Sequence, residues 1–122
     1  MTPPIFQVCA ADPAVTALLG TGPTRLFPFG EAPQDVTLPY AVWQTISGLP
    51  ENYLGQVPDL DSYTIQIDVY AGRGSEARQV AAALRDAIEP HAYVVGWNGE
   101  STDPDTGHKR YGFDIEWYVH RA

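Results

Sequence analysis

The chain has 122 residues, 44% of them hydrophobic, and 15 acidic against 7 basic residues give it a formal net charge of −8. This length fits one domain, residues 1–122, with a core of its own. The acidic balance argues against a nucleic-acid-binding protein, because such proteins present a basic face. Cys9 is the only cysteine, so no disulfide forms within the chain, which is compatible with synthesis in a reducing cytoplasm.

The first residues place no basic side chain before their short apolar run, so we expect no secretory signal. No stretch reaches the ~20 apolar residues that a membrane-spanning helix needs. We therefore expect no membrane association.

Residues 3–19 predict helix in two pieces, either separate or joined as one bent helix. Asp12 is a suitable N-cap for the second piece, Pro13 suits its first position, and Gly20 ends it. Three strands are predicted next, over residues 25–27, 40–47 and 63–70. In the third, apolar residues alternate with polar ones. A polar loop is expected over residues 49–60.

The most strongly patterned helix is predicted from about Glu76 to Glu89, with Ser75 as its N-cap and Pro90 after its end. Strands over residues 92–97 and 109–119 follow, joined by a loop over residues 98–107. The elements favour an α+β fold with one mainly antiparallel or mixed sheet of about five strands and two helices packed on one face. The expected core contains Ile65, Ile67, Leu84, Ile88, Phe113 and Ile115.

Three patterns resemble ligand sites only in part. The run from Asp103 to Gly107 resembles the start of a calcium loop, but its twelfth position is Asp114, inside a strand, so a turn is favoured. The three histidines are scattered and complete no zinc spacing: His91, His108 and His120. The segment 72–74 lacks the Lys-Ser/Thr pair of a phosphate-binding loop. We expect no cofactor and no metal.

An enzymatic hypothesis rests on Asp68, Asp114 and Glu116, which fall on the polar faces of two strands. If those strands are neighbours, the three carboxylates would repel one another and one would be disposed to take up a proton. Strand alternation alone also produces a solvated acidic face. Because no nucleophile accompanies the trio, we expect no catalytic activity.

Several ordered segments carry a resemblance to a known family: residues 25–33 (RLFPFGEAP), 38–43 (LPYAVW), 51–54 (ENYL), 65–71 (IQIDVYA) and the long stretch 96–114, from GWNGES through YGFD. Together they resemble the tail-completion, or tail-terminator, proteins of long non-contractile-tailed phages, prophages and gene transfer agents. The resemblance covers nearly the whole chain.

The resemblance implies a structural protein, made in the bacterial cytoplasm and incorporated into a virion or phage-like particle at the head–tail junction. It implies a hexameric ring that terminates the tail tube and contacts the tail tube protein and a head-completion (stopper) protein, with DNA passing through without specific binding. We predict that partner contacts involve two loops, through Asn52, Tyr53 and Leu54 in one, and Trp97, Asn98 and Glu100 in the other. The alternatives are a small acidic binding or assembly module of cellular origin and the acid–base enzyme.

Overall fold

A computed structural model describes residues 2–52, 55 and 57–121 of the chain. Within this part, the chain forms three helices and six strands. The helices are α1 (Ile5–Ala10), α2 (Pro13–Leu19) and α3 (Gly74–Ile88). The strands are β1 (Leu26–Pro28), β2 (Tyr40–Pro50), β3 (Leu60–Ala71), β4 (Tyr93–Trp97), β5 (Ser101–Thr102) and β6 (Lys109–His120).

The strands form one mixed sheet in the order β1-β2-β3-β6-β4, and β5 pairs with the beginning of β6. β1 runs parallel to β2, and the other pairs are antiparallel. The predicted α+β fold with a mixed sheet is confirmed, with one short additional strand in the loop expected over residues 98–107.

The core lies between α3 and one face of the central strands β3 and β6. Ile65 pairs with Ile115, Ile67 pairs with Phe113, and these four side chains are fully buried. The period-2 alternation of both strands places them on the same face. α3 packs against both strands and contributes Leu84 and Ile88, so the six predicted core residues belong to one buried cluster.

The N-terminal segment forms two short helices rather than one bent helix. Asp12 interrupts the helix with extended backbone, and its Oδ1 accepts a hydrogen bond from the Ala14 amide at 2.9 Å. Both helices pack against α3. The sheet is therefore accompanied by three helices in the described part of the chain, not the two that were predicted.

The predicted N-cap of the third helix is wrong. The Ala77 amide donates to the Arg73 carbonyl at 3.1 Å, so the first helical turn already includes Ser75. Arg73 occupies the cap position in an extended conformation, without a side-chain cap. Glu76 lies in that first turn, where a negative charge is favourable to the helix dipole.

The hairpin between β2 and β3 is longer than predicted. β2 continues through Gly48 to Pro50, and β3 already begins at Leu60. The ring of Tyr63 lies over Gly48, where a Cβ would stand 3.0 Å from Tyr63 Cε1. Gly48 is therefore a position of close packing within the strand rather than the end of it.

Candidate assembly surface

The sheet face opposite the α3-packed core carries the predicted acidic trio. Asp114 pairs with Gln66 and Glu116 pairs with Thr64 across the β3–β6 ladder, and Asp68 lies on the same face opposite Gly112. The two strands are thus neighbours, as the enzymatic hypothesis required.

The carboxylates of the trio accept hydrogen bonds from neighbouring side chains, two amides and the Tyr118 hydroxyl, rather than gathering in a pocket. Gln66 Nε2 donates to Asp68 Oδ2 at 3.1 Å, and Asn98 Nδ2 donates to Asp114 Oδ1 at 3.2 Å. All three acidic residues keep partial solvent exposure. The arrangement is that of a solvated polar sheet face.

Two cavities lie away from this trio. One of about 180 Å³ is lined by Gly74, Ala77, Glu100, Ser101, Thr102, Lys109 and Arg110. The other, of about 390 Å³, is lined by residues 32–36 together with Tyr40, Thr106 and His108. Neither cavity is lined by any member of the trio.

The loop that resembles a calcium site is a hydrogen-bonded turn. Asp103 Oδ1 accepts from the Asp105 amide at 2.9 Å, and the Asp103 carbonyl accepts from the Gly107 amide at 2.8 Å. Among residues 2–52, 55 and 57–121, no three His, Cys, Asp or Glu side chains cluster as metal ligands. In the same part of the chain, no helix is both long and apolar enough to cross a membrane.

The structure places the two predicted contact loops apart. Asn52 is exposed beyond the end of β2, whereas Tyr53 and Leu54 lie outside the described residues. Trp97 ends β4 opposite Phe113, and the Asn98 amide donates to the Gly112 carbonyl, further along β6. Partner contacts at these six residues stay a prediction.

The residues of the second loop have partners within the chain. Trp97 is 43% exposed and its ring stacks on Tyr111, with centroids 5.4 Å apart, and packs against Phe113. Glu100 forms an exposed ion pair with Arg78 at the beginning of α3. These contacts hold the loop against its own chain, while Trp97 and Glu100 stay exposed to solvent.

A second set of exposed residues was missed by sequence reasoning. Leu49, Tyr93 and Tyr118 are 64%, 65% and 41% exposed and lie on the face that carries Glu116, at the hairpin end of the sheet. Leu49 and Tyr118 both pair with Ser62, and Tyr93 pairs with Glu116. We call these three residues the hairpin-end patch. The only indication of this patch in the sequence is that its apolar residues occupy strand positions where the alternation predicts polar ones.

Comparison with known families identifies the family to which the chain belongs. The family model described as Tail completion protein gp17 matches residues 3–120. The chain belongs to the tail completion protein family. The resemblance drawn from the sequence is thereby confirmed, and the family is one of structural tail proteins rather than a known enzyme family.

Solved structures share the fold at low sequence identity. A chain of the "virion of native gene transfer agent (GTA) particle" matches with a TM-score of 0.63 and 15% identity, over 95% of this chain and 91% of that one. The gp17 protein of bacteriophage SPP1 matches with a TM-score of 0.58 and 12% identity, over 95% and 86% of the two chains. No curated protein sequence matches the chain.

Proposed function

We propose that this tail completion protein is the subunit of a hexameric ring that ends the tail tube and joins the tail to head-completion proteins. The observation that carries the proposal is the family match over residues 3–120. The ring acts by occupying the growing surface of the tube, since a head-to-tail interface that closes on itself does not elongate. The protein acts through protein–protein contact and not through catalysis.

The sheet supports such contacts because its edges are open in the described part of the chain. β4 forms one edge, and β1 covers β2 only at Ala41, Val42 and Trp43 on the other. Open strand edges pair with other chains unless they are protected. An interface that joins two different edges is head-to-tail, which is the type that generates rings.

The charge of the chain supports passage of DNA without specific binding. Asp68, Asp114 and Glu116 share one exposed sheet face, and the whole chain carries −8. A surface of that sign repels phosphate groups. We infer that the protein does not hold the DNA that passes the head–tail junction.

The two loops predicted as contacts are tested by hydrogen exchange. We expect the amides near Asn52 and Asn98 to gain protection when purified subunits are mixed with assembled tail tubes. Amides at Gln79, exposed on α3, serve as the internal reference. Equal exchange in both loops with and without tubes would exclude them from the tube interface.

The functional proposal is tested by deletion of the gene from its phage or gene-transfer-agent cluster. We expect electron microscopy of the lysate to show filled heads without tails, together with unattached tails of abnormal length. Expression of the intact gene from a plasmid should restore joined particles. Normal tails joined to heads in the deletion strain would overturn the proposal.

A further inference from the structure

Exposed apolar side chains are concentrated at the hairpin end of the sheet. Nine large hydrophobic residues in the described part of the chain are exposed, and five of them lie at or beside this end: Ile46, Leu49, Val57, Tyr93 and Tyr118. A monomeric protein rarely gathers exposed apolar groups in this way without a binding role. The hairpin-end patch is therefore a candidate docking surface.

The strand register makes the patch continuous. Leu49 and Tyr118 flank the small side chain of Ser62 in one row of the sheet. Tyr93 stands in the next row and meets Tyr118 edge-on, with ring centroids 6.2 Å apart. Two tyrosine rings and a leucine around a serine form a shallow apolar surface, and aromatic residues of this kind are typical of interface centres.

The border of the patch is acidic. Tyr118 Oη donates to Glu116 Oε1 at 2.7 Å, and both Glu116 and the nearby Glu51 contribute to raising the pKa of Tyr118. Asp61 at the same end is neutralised by Arg121. Among the described residues, no basic side chain forms an ion pair with Glu51 or Glu116. A partner surface with basic side chains would complement this border.

In the described part of the chain, no Lys or Arg at the hairpin end is free of an acidic partner, so a second copy cannot complement the patch with its own hairpin end. Arg25 donates to the carbonyls of Leu18 and Pro39, and three other arginines pair with acidic groups of their own chain: Arg78, Arg85 and Arg121. The other three basic residues lie at the opposite end of the sheet: Arg73 after the end of β3, and Lys109 and Arg110 at the beginning of β6.

We propose that the hairpin-end patch docks a different protein, whose contact surface has an apolar centre bordered by Lys or Arg side chains. The inference rests on the assembly role proposed above and names the chemistry of one partner in it. Leu49, Tyr93 and Tyr118 supply the apolar contact, and Glu51 and Glu116 select a basic partner over another acidic one.

Single cysteines placed in the patch test this proposal. Cys9 is fully buried, so Leu49→Cys and Tyr93→Cys each provide one accessible thiol, and Phe29→Cys provides a matched control at a residue that is 72% exposed elsewhere. Alkylation is compared between free subunits and purified particles. We expect both patch thiols to react at least about tenfold more slowly in particles, because interface centres exclude solvent, and the control thiol to change little.

The same cysteine variants identify the protein that covers the patch. A maleimide–benzophenone probe on Tyr93→Cys should cross-link, in particles, to a different protein at a segment with nearby Lys or Arg. Cross-linking only to a second copy, or to an acidic segment, would overturn the proposal. So would unchanged alkylation of both patch thiols in particles that contain the chain, and the ring proposal would then still stand. Absence of the chain from particles would overturn both the docking proposal and the ring proposal.

Charge reversal provides an independent test of the proposal. Glu116→Lys should reduce the yield of tailed particles strongly, whereas Glu31→Lys, the same change at an exposed residue away from the patch, should leave the yield unchanged. Thermal unfolding of both purified variants checks that they fold. A folded Glu116→Lys protein that supports a normal yield would count against a basic partner.

Discussion

The carboxylate of Asp68 lies across the backbone of Gly112, its direct partner in the β3–β6 ladder. A Cβ built on Gly112 would overlap Asp68 Oδ1 and would stand 2.9 Å from the Ile67 carbonyl oxygen. Glycine at this position therefore makes room for the Asp68 side chain, which Gln66 holds by a hydrogen bond. The arrangement fixes one acidic group of the outer sheet face.

Gly112→Ala should lower the free energy of unfolding by about 1–3 kcal/mol, because an added methyl group in a packed position forces its neighbours to shift. Gly96→Ala is the matched control, since a Cβ at Gly96 in the adjacent strand meets nothing within 4 Å. Urea unfolding measures both. Adding Asp68→Ala to Gly112→Ala should recover only part of the loss, because the Ile67 carbonyl remains. Equal stability of the two alanine variants would contradict the packing described.

Leu84→Ala should lower the free energy of unfolding by about 2–5 kcal/mol, the usual cost of truncating a buried leucine. Leu84 is fully buried between α3 and the sheet. Gln79→Ala, on the exposed face of the same helix, should have little effect. An unchanged melting temperature for Leu84→Ala would show that the helix faces the other way.

The Cys9 thiol should be unreactive in the folded protein. Its burial, and secondarily the charge of Asp12, raises its pKa to about 12, so hardly any thiolate is present at pH 8. Alkylation should be slow in buffer and fast in denaturant. Because the folded state holds this proton more tightly than the unfolded state, stability from this group is complete below about pH 9 and is lost as pH rises toward 12. Rapid alkylation without denaturant would contradict the burial of α1.

The pairing of Arg121 with Asp61 should make stability depend on acid pH. Arg121 Nε and Nη2 donate to the two carboxylate oxygens at 2.9 and 2.8 Å, and this hydrogen bonding lowers the pKa of Asp61. The stabilisation is therefore present at neutral pH and is lost as pH falls through the lowered pKa. The melting-temperature difference between wild type and Asp61→Asn should be constant above about pH 5 and shrink below about pH 4. A difference that does not change with pH would exclude the ion pair as its cause.

The strand alternation and the helical spacing of α3 were sufficient to predict the core, because buried positions recur with the period of the strand or helix that carries them. They were not sufficient for the hairpin-end patch. Leu49, Tyr93 and Tyr118 come from β2, β4 and β6, and they meet only through the register of four strands. Gly48 and Pro50 are turn-forming residues that indicated a loop, whereas packing of Tyr63 on Gly48 keeps that segment in the sheet. Tertiary contact overrides local propensity at such positions.

The most direct measurement of the central proposal is a reconstruction of the head–tail junction by electron cryo-microscopy, using particles from the cluster that encodes this chain. We predict one ring of six copies between the last ring of the tail tube and the head-completion protein, with density for a different protein over Leu49, Tyr93 and Tyr118. A chain that repeats along the whole tail, or that is missing from the junction, would contradict the account.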